Sequence, residues 1–117
     1  MKQRESLFLH HISDAITRIE QYVRGLDQKG FDDNALIQDG VIRQIMIIGE
    51  AVKLLPNELR DKHAHIPWQD IAGMRDKLIH RYFGVDLEKV WLTLQDDLPV
   101  LKSEVSKILK EIEESND

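Results

Sequence analysis

Val41-Ile42-Arg43-Gln44-Ile45-Met46-Ile47-Ile48-Gly49-Glu50-Ala51-Val52 is apolar on more than one helical face. A surface helix carries a single apolar stripe, so a helix apolar on several sides is central in a bundle or shared with a partner chain. The surrounding residues predict a helix over 34–55. Asp32-Asp33-Asn34 offers the start, because short polar side chains accept the free N–H groups of a first turn. Pro56 ends it. Gly49 costs roughly 1 kcal/mol relative to alanine inside a helix, and close approach of a neighbouring helix there would compensate. Arg43 and Glu50 are charges on this apolar helix and are expected to pair internally or across a dimer.

The flanks continue the pattern. Phe8, Ile12, Ala15, Ile16, Ile19, Val23 and Leu26 recur at three- and four-residue steps, which predicts a helix over 6–26. Residues 25–30 hold the first break. Residues 56–66 read as a connection with one short turn at 58–62. Pro67-Trp68 opens a third helix that runs to about Phe83, with Gly84 as its C-terminal cap. Asp86 caps a fourth, carrying Leu87, Val90, Trp91 and Leu94. Pro99 either kinks that helix or opens another, and Leu98, Leu101, Val105, Ile108 and Ile112 extend the stripe. Residues 113–117 are expected to fray. The predicted fold is all-α: one domain over 1–117, an up-and-down antiparallel bundle of four to five helices that dimerises through the second.

Composition narrows the function classes. There is no cysteine, which excludes disulfides, thiolate metal sites and a cysteine nucleophile. With 3 Pro and 6 Gly a turn-rich β sandwich is disfavoured. The apolar N-terminal stretch is broken by His10, His11 and Asp14, unlike a signal peptide. No apolar run approaches the roughly 18 residues a membrane span needs. A cytoplasmic protein without a membrane partner is the expectation. Net charge is −5, so any RNA contact must use a local basic patch or a partner's surface, since nucleic-acid affinity comes largely from neutralising phosphates. His63 and His65 lack an evident third ligand, and no metal or other cofactor is expected. His10 and His11 read as surface residues with one helix contact, and Trp68 and Trp91 as core anchors. No glycine-rich phosphate loop is present.

The third helix holds the anomaly. Its stripe passes through Trp68, Ile71, Leu78 and Tyr82, and Arg75 occupies the position between Ile71 and Leu78. An arginine centred on such a face must be paired or must face a cleft. Its planar guanidinium suits a phosphate or a carboxylate. His80 lies about 140° around the helix and about 7.5 Å along it. The two meet at one substrate only through the length of the arginine, or across a dimer axis. Asp76 is one turn before His80 and favours its charged form. Taken alone, such an arginine is more often an ion-pair partner, and a histidine near a helix end often only complements the dipole.

Arg75-Asp76-Lys77-Leu78-Ile79-His80-Arg81-Tyr82 resembles the Arg-x4-His-x-Tyr motif of the HepT branch of the HEPN superfamily. The lead-in Trp68-Gln69-Asp70-Ile71-Ala72-Gly73-Met74, the continuation Phe83-Gly84-Val85-Asp86 with Val90-Trp91, and Ile48-Gly49-Glu50-Ala51 in the second helix resemble that family too. The resemblance implies a dimeric helical bundle with two motif copies beside one cleft. It implies a metal-independent endoribonuclease toxin acting on RNA rather than DNA, with Arg75 and His80 catalytic. It also implies a cognate MntA-type minimal nucleotidyltransferase antitoxin that transfers AMP to Tyr82. Asp76, Lys77 and Arg81 would support the site. Position 76 is commonly a small polar residue in the superfamily, often Asn, so Asp76 adds a negative charge there. The alternative is a non-catalytic helical partner that binds the nucleotidyltransferase and accepts its AMP, a reading the acidic charge favours.

Overall fold

The computed structural model describes residues 2–80 and 86–115, with side chains of α5 described as far as Asp76. Among the described residues there is no strand. The helices are α1 (Lys2–Tyr22), α2 (Gln28–Asp32), α3 (Ala35–Leu54), α4 (Asn57–Lys62), α5 (Trp68–His80), α6 (Leu87–Leu92) and α7 (Leu98–Ser115), with a π-helical segment at Thr93–Asp97. The protein is an all-α bundle, as its periodicity predicts.

α3 is the central element. Asn34 caps it, its Oδ1 accepting from the Ile37 N–H at 3.0 Å. Val41, Ile45, Ile48 and Val52 are buried, and the helix packs on α1 along one side and on α5 along another. Leu55 precedes Pro56 and takes extended backbone angles, φ −69 and ψ 140, because the proline ring excludes the helical region for the residue before it. From α1, Leu9, Ile12, Ile16 and Ile19 are almost wholly buried. Each such side chain contributes about 1.5–3 kcal/mol by leaving water. α7 closes the bundle against α1 through Leu101, Val105, Ile108 and Leu109.

Several boundaries differ from the periodicity. α1 ends at Tyr22, short of Val23 and Leu26, because the chain turns at Gly25, whose φ of +78 suits only a residue without Cβ. α2 begins inside the predicted break and runs two residues past it, capped by Asp27, which accepts from the Gly30 N–H at 2.8 Å. Its Phe31 is buried and packs against Trp91, ring centroids 5.4 Å apart. α5 begins at Trp68, with the Pro67 carbonyl accepting from Ile71 N–H. Its indole Nε1–H donates to the His63 carbonyl at 3.1 Å.

Asp86 caps α6, accepting from the Glu88 and Lys89 N–H groups. Pro99 falls in the first turn of α7, one of the two outcomes its position allowed, and α7 follows the π-helical segment directly. Leu92, Thr93 and Leu98 keep helical angles, and the Leu98 N–H reaches back to the Thr93 carbonyl. Widening the helix by one residue just before the proline makes room for a ring that cannot donate. α7 remains helical to Ser115, within the stretch expected to fray, and residues 116–117 lie outside the described ones. So do Arg81, Tyr82, Phe83, Gly84 and Val85, with the predicted Gly84 cap.

Candidate functional site

The site grows from one close contact between α3 and α5. A Cβ on Gly49 would lie 2.1 Å from the Cβ of Arg75 and 2.8 Å from its Cγ. Only glycine lets the two helices meet there, which is the compensation expected for its cost in a helix. The contact fixes the root of the Arg75 side chain against the α3 backbone and leaves its tip to run along α3.

That tip is held by two carboxylates. Arg75 Nη2 lies 2.8 Å from Glu50 Oε2, and Nη1 lies 3.0 Å from Asp76 Oδ1. Lys53 Nζ lies 2.5 Å from the same Asp76 oxygen. Glu50 and Lys53 follow Gly49 on α3, about one turn apart, and Arg75 and Asp76 are successive on α5. The four charges cancel. Arg75 is 26% exposed and Glu50 52%, so the network sits at the surface, at one end of an open groove of about 410 Å³. Asp39, Ile42, Arg43, Met46 and Ile47 of α3 line the rest of it.

The arrangement answers the question raised by an acid at position 76. Asp76 is not a free negative charge in a phosphate site: hydrogen bonding from Lys53 first, then from Arg75, holds its carboxyl below the usual carboxylate range. A carboxyl lower in the folded chain than in the unfolded one contributes stability above its unfolded value, and that stability is lost as pH falls through the folded value. The denaturant midpoint should therefore decline below roughly pH 4, and Asp76→Asn should flatten that part of the profile. Identical acid-side profiles for the two proteins would contradict this.

Of the residues singled out from sequence, Arg75 and Asp76 are brought together. His80 closes α5, but its side chain and that of Lys77 lie outside the described ones, as do Arg81 and Tyr82 altogether. Glu50 finds an internal partner, while Arg43 lies exposed along the groove. Lys53 was missed: a lysine near a helix end carries no signal until its partner on α5 is known. His63 and His65 turn instead to carboxylates of α7. His65 Nε2 lies 2.9 Å from Glu104 and His63 Nε2 3.8 Å from Glu111, and the His65 contact holds Glu104 below the usual carboxylate range. Among the described residues no group of three or more His, Asp or Glu is placed to hold a metal. No described helix is long and apolar enough to cross a membrane.

The family model described as "Ribonuclease HepT-like" matches residues 12–108. The chain is 43% identical over 110 residues to "Probable ribonuclease HepT" of Thermococcus cleftensis, covering 94% of this chain and 100% of that protein. It is 45% identical over 107 residues to "Putative RNase MJ0125" of Methanocaldococcus jannaschii, covering 92% of each. It is also 44% identical over 115 residues to "Gamma-glutamylcyclotransferase and putative RNase MJ0434" of the same organism, covering 98% of this chain but only 52% of that longer protein. No solved structure gives a significant match. With the family model spanning most of the chain and relatives matched along nearly their full length, the chain belongs to the HepT-like ribonuclease family.

Proposed function

We propose that the protein is a metal-independent endoribonuclease of the toxin kind, with Arg75 and His80 as its catalytic groups. The observation that carries this reading is Arg75 itself: its root is wedged against Gly49 and its guanidinium is held at the end of an open groove, five residues before a histidine. Glu50 and Asp76 each contact one terminal nitrogen, and a guanidinium carries five N–H donors in all, so it retains donors for a phosphate.

The chemistry needs no metal. The RNA 2′-hydroxyl loses its proton and attacks the adjacent phosphorus, forming the 2′,3′-cyclic phosphate. The bond to the 5′ oxygen breaks, and that oxygen takes up a proton. Imidazole suits either proton transfer near neutral pH. Arg75 binds the phosphate and stabilises the charge that grows on its oxygens. Lys77 and Arg81 add local positive charge. RNA incubated with the pure protein in EDTA should be cut to 2′,3′-cyclic ends, and intact RNA would contradict the reading.

The protein acts as a homodimer in this proposal. The groove face of α3 alternates Ile42, Met46 and Ile47 with Asp39, Arg43 and Glu50, and Leu36 and Leu54 are exposed at either end, 82% and 52%. Two copies of α3 packed antiparallel about Met46 and Ile47 would bury the apolar residues and set Arg43 toward Glu50 of the second copy. Both Arg75 side chains would then stand beside one cleft, and one His80 from each copy would share the acid and base roles. Light scattering at micromolar concentration should give about twice the 13.6 kDa chain mass; a monomer mass would contradict the dimer.

Control would come from a minimal nucleotidyltransferase of the MntA type. The phenol oxygen of Tyr82 bonds to the α-phosphorus of ATP, pyrophosphate leaves and the phenol proton is released, so a bulky anion stands where RNA must bind. The net charge of −5 favours a second reading, in which the chain is only the partner and AMP acceptor of that enzyme and cuts no RNA.

A further inference from the structure

The geometry points to Glu50 as the positioning residue for Arg75, with Lys53 steadying the arrangement through Asp76; this rests on the ribonuclease reading above. Three observations support it. The Arg75 stem packs directly on Gly49, its Cβ and Cγ lying 2.1 and 2.8 Å from where a Cβ there would stand. Glu50 is the next residue on α3, so the same close approach that fixes the root delivers a carboxylate to the tip, 2.8 Å from Nη2. Asp76 holds the other terminal nitrogen at 3.0 Å and is itself held from α3 by Lys53 at 2.5 Å. The guanidinium is therefore gripped on two nitrogens by carboxylates anchored on two helices, and its remaining donors have a set direction.

A surface ion pair of this kind contributes little to folding. Its contribution lies in orientation, because a misplaced phosphate-binding group costs rate even when its charge is intact. Glu50 is also an anion at the end of the groove. Removing it frees Arg75 to swing and at the same time makes the site more attractive to RNA phosphate. The two kinetic constants then move in an unusual way: kcat falls and KM falls with it. A merely structural role would not produce that split.

The test compares wild type with Glu50→Ala, Glu50→Gln and Glu50→Asp on one fluorescent RNA. Glu50→Ala should lose about tenfold to a hundredfold in kcat, with KM lowered as well. Glu50→Gln should lose less, and Glu50→Asp should recover part of the rate. NMR of the arginine Nε–Cζ bond should show slowed rotation for Arg75 in wild type and faster rotation in Glu50→Ala. A wild type that cuts RNA and a folded Glu50→Ala that cuts equally fast would overturn this proposal alone. Equal Arg75 rotation in the two proteins would do so as well. A wild type that cuts nothing would overturn the ribonuclease reading and this proposal with it.

Discussion

Replacing Gly49 with alanine should destabilise the protein by about 1–3 kcal/mol, the usual cost of forcing extra volume into a packed contact. The sign matters more than the size. In an ordinary helix interior the same change gains about 1 kcal/mol, since glycine pays the larger backbone entropy. Here the new methyl meets the Arg75 Cβ at 2.1 Å. That atom sits next to the backbone and cannot swing aside, so α5 must move away from α3. Gly49→Leu should be worse. Arg75→Ala would not relieve the clash, because alanine keeps the offending Cβ, whereas Arg75→Gly removes it. A double-mutant cycle should therefore show Gly49→Ala to be less costly in an Arg75→Gly background. Urea unfolding measures all four proteins, and a stabilised Gly49→Ala would show that the helices do not meet there.

Arg75→Ala should lower RNA cleavage by at least about a hundredfold, the scale seen when one donor to a developing charge is removed. The loss has two parts. The phosphate loses its cation, and Glu50 loses its partner while Asp76 keeps Lys53, so the site is left with a net negative charge. Arg75→Lys keeps the charge but not the planar fork that spans both carboxylates and the phosphate. It should stand between wild type and alanine, nearer to alanine. The check is initial rates on a fluorescent RNA, with helical content by circular dichroism as the folding control. Cleavage by Arg75→Ala within a few-fold of wild type would remove Arg75 from the site.

Much of this architecture is legible along the chain because its causes are local. The cap at Asn34, the cap at Asp86, the stop at Pro56 and the many-sided apolar character of α3 all act within a turn or two of themselves. The close approach at Gly49 could be inferred from its cost in a helix, though not which residue would face it. α2 was hidden because five residues hold too little of the helical period to be recognised. The π-helical widening was hidden because a proline in a helix has more than one outcome, and packing selects among them. The charges around Arg75 belong to the same class: Glu50 and Lys53 lie on another helix, and only the register of α3 against α5 brings them to Arg75 and Asp76. The motif in α5 is visible in sequence, whereas the grip on its arginine is a tertiary property.

Catalysis by the motif that begins at Arg75 is tested most directly by wild type beside His80→Ala, both highly purified, both in EDTA, on the same RNA with end-group analysis. It predicts cutting to 2′,3′-cyclic phosphate ends by wild type and none above background by a folded His80→Ala. Equal cutting by the two proteins, or none by either, would contradict it.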